Sequence, residues 1–374
     1  MSLRLILFLV LSFACTTEMS MAISPPEDEA SVGYNLYDGG GITVHGPALI
    51  VKKTVPGNLS VEAGARVDLV SSASIDVVTQ ASKYSEEREE YSFGLSKILG
   101  ETSLTTRYTL SDESDYTSDN LSLSLAHDLL DKNVTLNLQV ARSWDQVGRN
   151  DDPAFGWEDF TRTVYAVGLT QSLSPRWLAQ FNYEITADNG LINNPYRSAR
   201  TLGGGATPEN YPDARTGQAW VVRSSFGFPG GGSNGTGGIS KTLQVDYRYY
   251  QDTFNVRSHT GKILYQHYLG VHWLIGGFYQ FHTQGAASFY GDRLPTSQIF
   301  KARDKELSKF SDHWFGGSIR FKPASRQWGW MKDPYFKAGI SFLIFNYDNF
   351  TDPRNGELYS QESNVLQTSF GFHY

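Results

Sequence analysis

The sequence predicts an all-β fold, a transmembrane antiparallel up-and-down β-barrel of roughly 14–16 strands, with sixteen the preferred number. The final segment, Leu366 to Tyr374, alternates strictly between large apolar or aromatic residues and small or polar ones. Because side chains in a strand point alternately to opposite faces, such a segment has one apolar and one polar face. About a dozen similar segments recur along the chain, as expected when strands face lipid on one side and a lumen on the other.

The N-terminus resembles a secretory signal peptide. Arg4 supplies a positive charge, Leu5 to Ala14 form an apolar run, and Ser20-Met21-Ala22 fits a cleavage site. The apolar run is too short for a membrane helix, which needs roughly 20 residues. A lipoprotein signal acylated at Cys15 is the alternative. We therefore expect a signal peptide at 1–22, a flexible leader at 23–33 and the barrel at 34–374.

Fourteen alternating segments can be marked from Leu59 onward. They are 59–69, 91–98, 102–111, 117–128, 134–144, 160–172, 176–186, 217–228, 241–251, 257–269, 272–284, 311–322, 334–347 and 362–374. Upstream, Ala48 to Val55 alternates and runs into the turn signal Pro56-Gly57-Asn58. With both ends of the barrel on one side the strand number must be even, so Tyr34 to Val44 is expected to pair beside it. The alternative is fourteen strands with an N-terminal segment in the lumen.

The connections between these segments alternate in length. Counted back from Tyr374, one set is mostly very short, whereas the other includes long loops at 70–90, 145–159, 187–216 and 285–310. Short periplasmic turns and long extracellular loops are typical of outer-membrane barrels. The sequence thus predicts the bacterial cell outer membrane as the location, with membrane lipid, lipopolysaccharide and the barrel-assembly machinery as partners.

Composition agrees with this class. Tyr, Phe and Trp make up 14% of the chain and there are 36 glycines, as aromatic girdles and crowded strands require. The formal net charge of −7 argues against nucleic acid as a partner. After cleavage at Ala22 no cysteine remains, which excludes disulfides and thiolate metal sites.

Several stretches resemble a bacterial outer-membrane barrel family catalogued only as a domain of unknown function. They are Val70-Ser-Ser-Ala-Ser-Ile-Asp-Val-Val78, Asn194-Pro-Tyr-Arg-Ser198, Tyr247-Arg-Tyr-Tyr-Gln-Asp252 with Ser258-His-Thr260, Gln284-Gly-Ala-Ala-Ser-Phe-Tyr290 and Ala302-Arg-Asp-Lys-Glu-Leu-Ser308. The resemblance covers roughly residues 40–374 and implies a single barrel. It also implies a setting near a small lipoprotein and envelope redox proteins, but no catalytic residues.

Charged residues at inward positions are the first candidate site. A basic side chain on the lipid face costs about 2–4 kcal/mol near the midplane, so these charges are expected in the lumen. The selectivity candidates are Arg66, Arg107, Arg223, Asp246, Arg248, Arg320 and Lys322, and Glu62, Asp68, Glu184 and Lys337 share the same parity. Basic residues outnumber acidic ones, which favours a wet pore with weak anion preference. A ladder of ion pairs bracing a plugged barrel is the alternative.

The long loops supply a second candidate site, because loops of this length are usually functional. The loop candidates are Arg197, Arg303, Asp304, Lys305 and Glu306, with Tyr196 and Arg200 at the same rim. They are expected either to fold inward as a constriction or to bind a partner at the cell surface. The aromatic end of the chain, Phe370, Phe372 and Tyr374, is the expected assembly signal.

Three other patterns give no specific chemistry. The glycine-rich run 230–235 matches a dinucleotide fingerprint by letters but lies between two strands, without the helix that such a site needs. The acidic run 112–115, with Asp119, lacks the spacing of a dedicated calcium loop. The histidines at 259, 267, 272, 282 and 313 accompany no nucleophile elbow. No catalytic residue, metal or cofactor is predicted.

Three functions are compatible with these observations. A channel or transport component for small solutes is favoured, because a barrel of this size leaves room for an aqueous lumen. A scaffold barrel that conducts nothing and holds a lipoprotein or periplasmic redox partner is the second. An outer-membrane hydrolase is the third.

Overall fold

A computed structural model describes residues 27–72, 84–230 and 238–374. Its strands are β1 (Glu29–Gly39), β2 (Ile42–Val55), β3 (Leu59–Ser72), β4 (Tyr84–Leu99), β5 (Thr102–Asp112), β6 (Tyr116–Leu129), β7 (Val134–Val147), β8 (Glu158–Ser174), β9 (Trp177–Gly190), β10 (Ser198–Arg200), β11 (Ala206–Pro208), β12 (Ala214–Pro229), β13 (Ile239–Asp252), β14 (Arg257–Leu269), β15 (Trp273–Gln284), β16 (Phe310–Phe321), β17 (Gln327–Trp328), β18 (Met331–Thr351) and β19 (Leu358–His373). A short 3-10 helix spans Lys305–Leu307.

Sixteen of these strands form a closed antiparallel barrel in which each pairs with its neighbours along the chain. The exceptions, β10, β11 and β17, are two- or three-residue strands in the connections. The barrel closes where β1 pairs with β19, with Val32 opposite Phe370. The predicted up-and-down barrel of sixteen strands is thereby confirmed.

The start of the barrel differs from the prediction. Strand β1 begins at Glu29, so residues 29–33 belong to the wall rather than to a leader. The first hairpin turns at Gly40 and Gly41, inside the segment 34–44 that was expected to be one strand. Both glycines have positive φ angles, 60° and 78°, which only glycine adopts without strain. Those two glycines therefore place the turn.

The two ends of the barrel differ, as predicted. The turn end carries both described chain termini and short connections such as 100–101, 130–133 and 175–176. The loop end carries the long connections 191–213 and 285–309. Residues 73–83 and 231–237, which include most of the glycine-rich run and part of the first family motif, lie outside the described residues.

Side chains alternate between the two faces of the wall. On β13, Val245 and Tyr247 are exposed on the outer face, while Asp246 between them forms an ion pair with Arg223 of β12. Exposed large apolar residues of this kind recur on the outer face of most strands, for example Phe93, Leu123 and Ile263. Within the described ranges, no helix has the length and apolarity needed to cross a membrane.

Candidate functional site

Two long loops fold together over the loop end of the barrel. The loop 191–213 connects β9 to β12 and contains the small β10–β11 hairpin; the loop 285–309 connects β15 to β16. Their backbones share hydrogen bonds: Leu202 N donates to Leu294 O at 3.0 Å, and Lys301 N donates to Asn210 O at 2.8 Å. We call these two loops, with the short connection 253–256, the cap.

The cap has its own apolar core. Its buried members are Tyr211, Phe254, Val256, Ala287, Phe289, Ala302 and Leu307. Phe254 and Phe289 meet edge to face with ring centroids 4.8 Å apart. Because Ala302 is fully buried and Phe254 is 2% exposed, the loops pack as densely as a protein interior rather than as surface segments.

Charged groups are buried beside this core and link the two loops. Arg197 forms an ion pair with Asp304 at 2.6 Å. A carboxylate oxygen of Glu209 accepts a hydrogen bond from the backbone N–H of Arg303 at 2.6 Å. The Tyr211 hydroxyl donates to the other oxygen of Glu209, also at 2.6 Å. Buried charges are stable only when they are paired and hydrogen-bonded, so this network stabilises the packed arrangement of the cap.

Arg303 ties the cap to the hairpin β18–β19. Its guanidinium pairs with Asp292 at 3.1 Å and donates to the carbonyl of Thr351 at 2.7 Å. The same group lies over the ring of Phe350, 4.5 Å from the centroid. Thr351 in turn donates its hydroxyl to Asp292 at 2.6 Å. One arginine therefore joins a loop, a strand end and an aromatic ring.

The predicted loop candidates come together, but not on the surface. Arg197, Arg303, Asp304 and Lys305 are all less than 10% exposed, and the backbone carbonyl of Glu306 accepts from Gln284. Lys305 is 1% exposed. These charges lie inside the packed cap rather than on an exposed surface of it. Sequence reasoning did not identify Glu209, which lies in the other loop, or Asp292, eleven residues before Arg303.

Burial changes the acidity of this network. Desolvation, followed by the nearby charge of Asp304, raises the pKa of Glu209 to about 7. Desolvation and Asp304 likewise raise the pKa of Glu306 above its ordinary value. Both effects arise because a buried carboxylate near another acid is costly to ionise. The cap thus contains acidic groups that titrate nearer neutrality than free carboxylates do.

The cap rests on the inner wall of the barrel. Gln284, at the end of β15, donates its side-chain amide to the carbonyls of Glu306 and Ser308, at 2.7 and 2.9 Å. Beside it the wall carries a buried cluster of Tyr37, Ile42, Val44, Val70, Phe310, Trp314, Leu343, Phe345, Tyr347, Phe350 and Val365. The loop end of the lumen is therefore lined by packed apolar side chains on the side of β1–β3 and β16–β19.

Most of the predicted lumen charges form ion pairs. Arg66 pairs with Asp68 at 2.9 Å, and Arg223 holds Asp246 through two nitrogens. Arg107 pairs with Glu62, which Lys52 also approaches. Arg320 donates to the Tyr268 hydroxyl at 2.9 Å. These pairs and bonds engage much of the excess basic charge inferred from sequence.

Two predicted lumen residues depart from this pattern. Lys322 lies just past the end of β16, in the connection at the turn end, where its carbonyl and N–H pair with His272; it is not a wall residue. Arg248 is on the wall, over the ring of Tyr250 at 5.1 Å, and makes no ion pair with any described residue.

A group of acids also meets near the cap. Glu86, Glu113 and Asp115 each place a carboxylate oxygen within 4.8 Å of the others. Protein donors already engage them, because Ser114 donates to Glu86 and Tyr196 donates to Asp115. Asp119, expected nearby, instead accepts from Tyr108 on the outer face. The group is best described as part of the loop-end hydrogen-bond network.

The histidines pair with hydroxyl groups. Tyr34 with His45, Tyr247 with His259 and Tyr279 with His313 each share a hydrogen bond of 2.7–2.8 Å on exposed side chains. His282, on the inner wall, bonds to the Thr260 hydroxyl at 2.8 Å. Tyrosine–histidine pairs repeated around an outer face fit an interfacial belt better than a catalytic centre.

Comparison with known proteins supports the family and the fold. Residues 156–317 match the model of a family described as a protein of unknown function (DUF3570), which confirms the expected resemblance. That stretch includes the cap loops. No curated protein matches the chain significantly.

Among solved structures, a bacterial polysaccharide outer membrane secretin is similar, with a TM-score of 0.53 at 10% identity over 94% of this chain and 100% of that one. The monoaromatic hydrocarbon channel CymD covers 94% and 89% of the two chains at 11% identity and a TM-score of 0.43. OccK1 of Pseudomonas aeruginosa covers 93% and 98% at 8% identity and 0.43. At 10% identity, the likeness to the secretin establishes the outer-membrane barrel fold and nothing about the solute.

Proposed function

We propose that this chain is a barrel of the bacterial outer membrane that passes small solutes through its lumen, and that the cap gates the loop end. Its exposed apolar outer face, short turns and signal-like N-terminus support the membrane assignment. The single observation that carries the gating proposal is the contrast between the two ends of the lumen.

The turn half of the lumen is open to solvent. Ile50 is an inward residue, opposite Gly64 on β3, yet it is 40% exposed. The side chain of Arg107, which pairs with inward Glu62, is 41% exposed. Lys337, inward and close to the turn end, is exposed as well, and Arg320 is half-buried. An interior that sixteen strands leave wide enough for water supports solute passage.

The loop half is covered by the cap, which rests on the inner wall beside its buried cluster. Cap residues such as Ala302 and Phe254 are almost completely buried, whereas the wall itself is a continuous sheet. Loops can move on the microsecond-to-millisecond scale without disturbing strand pairing, so a barrier built from loops suits a gate. In this proposal the lumen is open at the turn end, and the cap at the loop end is the part that opens.

Conductance in planar bilayers tests the proposal. The wild-type barrel should show low or intermittent conductance, and replacing 285–309 by a short turn should produce a stable, larger one. A matched control uses Asn210→Cys with Lys301→Cys, because these residues pair directly across the two loops. Oxidation should hold this variant closed, and reduction should restore wild-type behaviour. Absence of current from the correctly folded loop deletion would refute the channel.

The scaffold hypothesis has one specific observation in its favour. Inward ion pairs such as Lys52–Glu62–Arg107 cross neighbouring strands and stiffen the wall. If the loop deletion conducts nothing and a small lipoprotein co-purifies with the wild type, a non-conducting scaffold becomes the better account.

A further inference from the structure

A row of polar side chains crosses the inner wall directly beneath the cap. In register, Arg248 of β13 faces Thr260 of β14, Thr260 faces His282 of β15, and His282 faces Asp312 of β16. His282 lies one inward position from Gln284, which holds the 3-10 helix of the cap. A solute that rises from the open turn end meets this row where the lumen closes.

Asp312 is a buried acid without a partner. It is 7% exposed, and no hydrogen bond or ion pair joins it to another described residue. Inward acids elsewhere on the wall are held by arginines; examples are Asp68, Asp188, Asp246 and Asp252. Burying a carboxylate costs free energy unless a cation or hydrogen-bond donor satisfies it, so this site is incomplete as it stands.

Aromatic residues flank Asp312 on its own strand and on the neighbouring one. Phe310 and Trp314 are the neighbouring inward residues on β16, and Phe345 faces Asp312 from β18. Phe310 lies 6.1 Å from Phe345 and 5.7 Å from the ring of His282, centroid to centroid. A carboxylate among aromatic faces attracts an organic ammonium group through charge and cation–π interaction together.

At the other end of the row, Arg248 carries a positive charge and favours an anionic group. Glu184 is close enough to act on it electrostatically, but the two form no ion pair among the contacts of the described chain. A guanidinium presents a planar fork of donors that matches a carboxylate. Thr260 and His282, between the two charges, offer hydroxyl and imidazole groups to a polar backbone.

We propose that this row binds a zwitterionic solute with its ammonium group at Asp312 and its carboxylate at Arg248. Strands spaced by about 4.8 Å put the two backbones roughly 14 Å apart, and the arginine side chain shortens that gap. A chain advances at most about 3.5 Å per residue, so a short peptide of about three residues spans the row better than a free amino acid does. The proposal deepens the proposed function, since it names the solute class for the same lumen.

Calorimetric titration of the folded barrel in detergent tests the site without requiring conduction. Tri-alanine should bind, and its N-acetylated, C-amidated form should bind at least tenfold more weakly. Arg248→Gln should remove the preference for the free carboxylate, and Asp312→Asn the preference for the free amine. Arg176→Gln, the same kind of change in the turn between β8 and β9, should alter neither.

The outcomes separate this site from the pore. Equal binding of free and blocked peptides, or no binding, overturns the proposal even if the loop deletion conducts. Specific binding without conductance keeps the site and refutes the channel. Heat-modifiable migration confirms that each variant is folded; should Asp312→Asn fail to fold, Arg248→Gln with the two peptides still decides the matter.

Discussion

At the scale of single residues, the ionic partner decides what an inward charge does. Arg223 and Arg248 lie in neighbouring strands and look alike in sequence, yet only Arg223 has a carboxylate in contact. Changing Arg223 to Glu would remove the ionic partner of Asp246 and place a second acid beside it. The lumen charges therefore divide into those that brace the wall and those that remain available to a solute.

Glu209 gives the cap a pH dependence with a defined sign. Its pKa is about 7 in the closed cap and near 4.5 in water. The stability that this raised pKa gives to the closed cap is thus fully present below about pH 4.5 and is lost as the pH rises through about 7. We expect the cap to loosen between about pH 5 and pH 8.

Hydrogen exchange of the amides in 302–308 measures this loosening. Glu209→Gln should flatten the pH dependence after correction for intrinsic exchange, while Glu101→Gln, in a turn at the other end, should not. Asp304, Arg197 and Tyr211 act on the same carboxyl and set the size of the effect. A cap that tightens as the pH rises would contradict the assigned sign.

At the scale of elements, strand β13 shows how the two faces differ in tolerance. Val245 lies on the outer face and Gln244 on the inner one, where its amide contacts Asp246 at 2.9 Å. Val245→Arg should destabilise the barrel by about 2–4 kcal/mol near the midplane, and Gln244→Arg by much less. Denaturant unfolding in lipid vesicles gives the difference, and equal destabilisation would argue against the register.

The last strand, β19, closes the barrel by pairing with β1, and its two faces also differ in tolerance. Phe372 packs edge to face on Trp330 at 4.9 Å, and the Tyr374 hydroxyl donates to Lys52 O at 2.9 Å. Deleting residues 372–374 should prevent assembly, because β19 must pair with β1 to leave no open edge in lipid. His373→Ser, on the opposite face, is the control and should assemble. A truncated chain that reaches the membrane in heat-modifiable form would disprove this.

At the scale of the whole molecule, ion pairing reduces the charge excess that the sequence suggested. We expect weak anion preference in the loop-deleted barrel, set more by Arg248 than by the paired arginines. Arg248→Glu should shift the reversal potential in a salt gradient toward cation selectivity. Arg66→Gln, which only removes a partner of Asp68, should shift it less. A larger shift of the reversal potential for Arg66→Gln than for Arg248→Glu would mean that ion pairing does not reduce the effect of these arginines on selectivity.

The sequence by itself determined the barrel class and the faces of its strands, and it left fourteen and sixteen strands as alternatives. Alternation with a period of two residues is a local pattern. The faces of residues such as Val245 and Asp246 can therefore be predicted without knowing which strands lie beside them. The tertiary structure alone decided which inward charges are paired and which loops meet. Glu209 and Arg303 are distant in sequence but joined by a hydrogen bond. Arg248 and Asp312 lie in one row only because of the register of four strands. Pairing across a barrel depends on register and loop packing, which alternation along one strand does not encode.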